Sequence, residues 1–245
     1  MPNIEIVTKP ILFSTAMVQA ILRGKKTVTR RLIKPQPKTD VSIHDLESGD
    51  LCFYNGRLCK LKEPRSNRKY AGELVAVPIE PPYQIGDVLY VRETWSTAVD
   101  LDACTGMRTG LCPYENCENP PGPCFTETKY IYKATDKLPY GSQWHPSIHM
   151  PREAARIFLQ VTKVWYERLQ NISLDECVGE GAVQHPDYTK RNTLVLHARY
   201  RGEFAQVWNN TIDRVELDRY GWDANPWVWC IGFWHTMNPN LFQEE

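Results

Sequence analysis

The sequence predicts an α+β fold of many short strands and a few short helices, and three observations carry that expectation. Apolar, β-prone pieces of roughly four to eight residues recur along the chain, bounded by Gly, Pro and Asn. Helical spacing occurs in few places, chiefly after Ser14, after Ser173 and through Tyr200, Phe204 and Trp208. No apolar run approaches the roughly 18 residues that a membrane-spanning helix needs. With 245 residues the chain can bury a sizeable core as one large domain or two small ones.

Taken in order, Ile4 to Phe13 is apolar but interrupted by Pro10, which suits an edge strand because proline cannot donate to a ladder. Ser14 to Arg31 reads as a short helix released into a basic run. Ser14 is the expected N-cap, Met17, Val18, Ile21 and Leu22 form the apolar face, and Gly24 supplies the left-handed residue that closes the helix. Asn55-Gly56 lies between two short apolar pieces and predicts a hairpin turn. Gln84 to Trp95 is a turn feeding a strand, Tyr130–Lys133 a short strand, and Ile157 to Tyr166 the clearest strand of all. Between the last two, Pro146 and Pro151 argue against a regular helix, so His145 and His149 are rejected as a helical metal-ligand pair. Ser173 and Glu176 form a capping box for a short helix ending near Glu180 and Gly181. Tyr200, Phe204 and Trp208 mark an amphipathic core helix, and Asn225 to Trp234 a final buried strand.

Charge narrows the function. Lys plus Arg and Asp plus Glu are equal at 29 each, which excludes a general nucleic-acid coat. Locally the balance fails: Ile6 to Thr39 holds eight Lys or Arg and no acid. Such a block binds an anion or places amines and hydroxyls in a reactive pocket. Glu180 is a further oddity, because a carboxylate at a helix C-terminus opposes the macrodipole. Arg92, Glu93 and Trp95 at a strand end, and Ser147 and His149 in a proline-bounded loop, are candidate substrate contacts. The segment at about 100–128 reads as an insertion carrying Cys104, Cys112, Cys117 and Cys124. Four thiolates can close a structural zinc site; free thiols and disulfides are the alternatives. With no leader sequence or membrane segment in view, the expected compartment is the cytoplasm, without membrane contact.

Four stretches together resemble the ASCH-domain family, in the longer versions found in tailed phages and prophages: KPILFSTAMVQAILRGKKTVTRRLIKP, GDVLYVRETW, WHPSIHMPREAARIFLQVTKVWYERLQNISLDECVGEGA and NPWVWCIGF. The resemblance implies one ASCH-like domain over residues 1–245, a small PUA-like β-barrel with flanking short helices, the Cys-rich insertion, and a short tail at about 236–245. In a phage-encoded chain the compartment would be the host cytoplasm. It also implies a cleft for a modified nucleoside, RNA or DNA. Characterised small ASCH enzymes hydrolyse N4-acetylcytidine to cytidine and acetate. By position, the family's lysine, threonine and glutamate fall on Lys26, Thr29 and Glu180, and its following arginine on Arg31.

The chemistry is coherent in its own terms. Amide hydrolysis needs a nucleophile, a base and support for a tetrahedral oxyanion. Thr29 attacks if Lys26 is neutral, which requires lowering a lysine value that ordinarily lies near 10.4. Alternatively Glu180 activates a water while Thr29 only hydrogen-bonds. Arg31 is a candidate for the oxyanion, and catalysis needs no cofactor. The competing expectation is a non-catalytic RNA- or DNA-binding module, or a nuclease, using basic segment 23–38 on phosphates with Trp95 or Trp144 stacking on a base.

Overall fold

A computed structural model describes residues 8–39, 45–63, 74–99, 128–139, 142–182 and 193–237. In chain order the elements are β1 (Thr8–Leu12), α1 (Thr15–Leu22), β2 (Val28–Leu32), β3 (Leu51–Tyr54), β4 (Arg57–Lys62), β5 (Val75–Pro78), β6 (Val88–Arg92), β7 (Trp95–Val99), β8 (Thr128–Tyr132), β9 (Phe158–Arg168), α2 (Leu174–Gly179), α3 (Thr193–Asn209), α4 (Leu217–Tyr220) and β10 (Trp227–Thr236). The class is mixed α+β, dominated by sheet. Among the described residues no sheet closes into a barrel. The chain forms two compact units, one from residues 1–23, 88–159 and 236–245, the other from 24–87 and 160–235.

In the first unit β1 runs parallel to β6, with Thr8 opposite Val88 and Leu12 opposite Arg92. β1 lies outermost in its sheet, where Pro10 costs no ladder bond. Ser14 occupies the N-cap of α1, but its hydroxyl makes no cap bond; its carbonyl accepts from Val18 N at 2.9 Å instead. The expected side-chain cap is therefore absent. β7 and β8 pair antiparallel. The proline-bounded loop forms two single 3-10 turns, Ser147–His149 and Arg152–Ala154, in place of a helix. Met150, Ala154, Ala155 and Phe158 bury against Val88 and Tyr132 to form this unit's core.

In the second unit β10 lies between β9 and β2 and pairs antiparallel with β2. Successive side chains of a strand point to opposite faces, and both faces are covered. One carries Leu32, Val228, Cys230 and Trp165 and packs on Tyr200, Phe204 and Trp208 of α3. The other carries Ile33, Tyr166, Trp227 and Trp229 and packs on Leu51 and Leu58 of the small β3–β4–β5 sheet. The β3–β4 hairpin turns at Asn55 and Gly56, both at positive φ (49° and 71°), as Asn-Gly predicts.

Candidate functional site

Part of the basic run is a largely buried strand. Gly24, at φ 67°, turns the chain out of α1, and β2 then enters the second unit with Lys26, Thr29 and Arg30 all below 5 % exposure. The segment before β2 is seated on the end of α2. Thr27 N donates to Gly179 O at 2.8 Å, and the Lys26 ammonium donates to Glu180 O at 2.9 Å. Two carbonyls left over at the helix terminus are thus capped by residues far away in the chain, one of them by a cation that suits the negative end of the dipole. Gly179 permits this approach, because a Cβ there would lie 3.0 Å from Thr27 Oγ1.

Lys26 Nζ also meets Glu180 Oε2 at 2.6 Å and Val28 O at 2.9 Å. An ammonium has three donors, and these three oxygens take them all. Burial pushes the Lys26 value below the ordinary lysine range; the Glu180 carboxylate opposes that shift, and Arg31 and Arg30 add to it. Glu180 is the C-cap residue of α2, following the Ser173–Glu176 capping box, which is present as expected. Its macrodipole penalty is offset by the two cations that hold it.

Arg30 is the second of those cations. Its Nη1 lies 3.3 Å from Glu180 Oε1, while Nη2 lies 2.6 Å from Glu167 Oε1 and 3.1 Å from Glu176 Oε2. The Cys230 thiol donates to Glu167 Oε1 at 3.4 Å. Glu167 and Glu176 escaped the sequence reading as site residues. They come from β9 and α2 and meet only through the β2–β10 register, which sets Arg30 opposite Cys230.

The same register separates Thr29 from this cluster. Thr29 lies opposite Ile231 and Arg31 opposite Trp229, so both occupy the face of β2 away from Arg30. Among the described residues no hydrogen bond joins the Thr29 hydroxyl to Lys26 or Glu180. Burial lowers the Arg31 value, with Tyr83 and Glu180 opposing. On the Trp229 side a cleft of about 860 Å³ opens, walled by Trp229, Tyr166, Leu58 and Ile79, with Arg57 and Glu80 also lining it.

The remaining predicted contacts lie in the first unit. Arg92 donates through Nε to Met150 O at 3.0 Å and through Nη2 to Ile148 O, fixing the loop that carries Ser147 and His149. Ser147 is half-buried and His149 exposed. Glu93, 1 % exposed, is held by Arg156 through both oxygens at 2.9 and 3.1 Å. The Arg156 guanidinium sits 3.9 Å from the centre of the Tyr132 ring, whose phenol burial pushes up to about 12. Trp95 exchanges backbone hydrogen bonds with His145, and its Nε1 is buried with no partner among the described residues.

Cys104, Cys112, Cys117 and Cys124 lie outside the described residues. Among the described residues no group of three or more His, Cys, Asp or Glu is arranged to hold a metal, and no helix is long and apolar enough to cross a membrane. The basic segment has few cations left for phosphates: Lys26 and Arg30 are buried in ion pairs, Lys34 meets Glu216 at 2.8 Å, and Lys38 meets Asp50 at 2.8 Å. Compared with known proteins, the chain matches no family model, no curated protein and no solved structure.

Proposed function

We propose that this chain is an amidohydrolase of the ASCH-domain kind, acting on an N4-acylated cytosine nucleoside such as N4-acetylcytidine. The observation that carries the reading is the buried 2.6 Å contact between Lys26 and Glu180, two members of the Lys26, Thr29 and Glu180 set that the family resemblance implies. The proposal includes a single ASCH-like domain related to the PUA-like β-barrel, a cytoplasmic location and no catalytic cofactor.

Of the two role sets, the geometry favours Glu180 as base. Lys26 gives all three donors to oxygens and makes no bond to Thr29, so it serves as a cation beside the carboxylate. Water attacks the acetyl carbonyl and its proton passes to Glu180; Arg31 supports the oxyanion. The C–N bond then breaks and Glu180 returns the proton to the leaving amino group, giving acetate and the free cytosine amine. In this role set Thr29 is not the nucleophile and serves only in hydrogen bonding.

The test is release of cytidine from N4-acetylcytidine by the purified chain. Glu180→Gln is expected to lower kcat by about 10²–10⁴-fold, with Thr29→Val retaining measurable turnover. Full loss in Thr29→Val alongside an active Glu180→Gln would reverse the roles. No turnover by the unaltered protein across a panel of N4-acyl cytosines would remove the reading.

A further inference from the structure

We propose that Arg30 is a positioning residue that fixes the Glu180 carboxylate from within a buried network with Glu167 and Glu176, an inference that rests on the amidohydrolase reading. The Arg30 side chain has no exposed surface. Its guanidinium serves three carboxylates: Glu167 on β9, Glu176 on α2, and Glu180 where α2 ends. The five donors of a guanidinium lie in one rigid plane, so contacts at Nη2 dictate where Nη1 points. Nη2 is anchored at 2.6 Å to Glu167, itself bonded by the Cys230 thiol, and at 3.1 Å to Glu176, itself held by the Ser173 capping box. The Phe204 ring lies 5.8 Å from the guanidinium carbon.

Of the remaining donors, Nε is buried with no hydrogen-bond partner among the described residues, and Nη1 takes Glu180 Oε1 while Lys26 takes Oε2. The two carboxylate oxygens are therefore assigned to different cations, and rotating the group breaks one contact or the other. A base that must meet a proton along one direction needs that restriction. Stability alone is a poor reason for the arrangement. Two buried cations among three carboxylates carry a heavy desolvation cost, and well-packed apolar side chains hold such a contact at least as well. A lysine at position 30 would keep the charge but lose the plane that joins the three acids.

The test uses Arg30→Met and Arg30→Lys in the full chain. Readouts are kcat, KM, reactivity of the buried Cys177 and Cys230 thiols towards a disulfide reagent, and the titration of Lys26 followed by ¹³Cε NMR. Arg30→Met is expected to lower kcat about 100-fold with KM within about threefold and both thiols still protected, the size of loss that misplacement by about 1 Å produces. Arg30→Lys should recover only part of it. Because Glu180 is the main influence that raises the Lys26 value, a carboxylate released by Arg30→Met should let the Lys26 midpoint fall, as in Glu180→Gln. Unchanged kcat, or a loss that tracks thiol exposure, would overturn the positioning role. If the unaltered protein hydrolyses no acyl cytosine, the amidohydrolase reading fails separately. The titration still decides, since a Lys26 midpoint that fails to fall while the thiols stay protected would sink the inference on its own.

Discussion

Lys26 and Glu180 stand 154 positions apart in the chain and meet at 2.6 Å, with the lysine side chain fully buried and the glutamate 5 % exposed. The same ammonium also caps the backbone carbonyl of Glu180 at 2.9 Å, so one side chain closes helix α2 and pairs with the acid at its end.

That double contact makes the titration of Lys26 informative. Its native value lies below 10.5, by burial first, with Glu180 opposing. Between the native value and 10.5 the unfolded chain holds a proton that the native chain has released, so raising pH through this window stabilises the fold. Lys26→Met should abolish that rise in urea-unfolding stability. Glu180→Gln removes the main influence that raises the value, so Lys26 should titrate at lower pH than in the unaltered protein. A ¹³Cε midpoint that stays put or moves up in Glu180→Gln would contradict the pairing.

Gly179 tests how closely β2 approaches α2. Alanine in a helix usually stabilises by about 1 kcal/mol over glycine. Here its Cβ would meet Thr27 Oγ1 at 3.0 Å and Val28 Cγ1 at 3.1 Å. Gly179→Ala is expected to forfeit that gain and to destabilise by about 1 kcal/mol through overpacking. Thr27→Ala, which removes one of the crowding atoms, should restore part of the loss, with a coupling of about 0.5–1 kcal/mol in a double-mutant cycle. Urea midpoints of the four proteins measure it, and simple additivity would dismiss the crowding.

The Glu93–Arg156 pair should respond unequally to its two deletions. Glu93 is 1 % exposed and Arg156 29 %. Arg156→Met strands a carboxylate in the core of the first unit, at an expected cost of about 2–3 kcal/mol. Glu93→Gln leaves an arginine that can turn towards water, and should cost about 1 kcal/mol. Equal losses on urea titration would show that burial of Glu93 is not what makes the pair asymmetric.

Much of the local structure was legible because its causes are local. Asn55-Gly56 sets a hairpin through positive φ, Ser173 and Glu176 cap a helix by reaching each other's backbone, and Pro146 and Pro151 deny a helix to the loop between them. Ser14 shows the limit of that reasoning: the residue stands at the helix start, yet its hydroxyl caps nothing. The Arg92 and Glu93 side chains were legible as polar groups at a strand end, while their partners, Met150 and Arg156, arrive from a distant loop.

The sequence by itself determined the α+β class, the short elements and the unusual chemistry of a lysine-rich segment and a helix-ending glutamate, since propensity, period and capping act over a few residues. Only the tertiary structure decided which charges are buried and with whom. Strand parity put Arg30 beside Glu167, Glu176 and Glu180 and turned Thr29 and Arg31 to the opposite face. Parity depends on register, and register is set by the pairing of β2 with β10 nearly two hundred residues later, which no local pattern encodes.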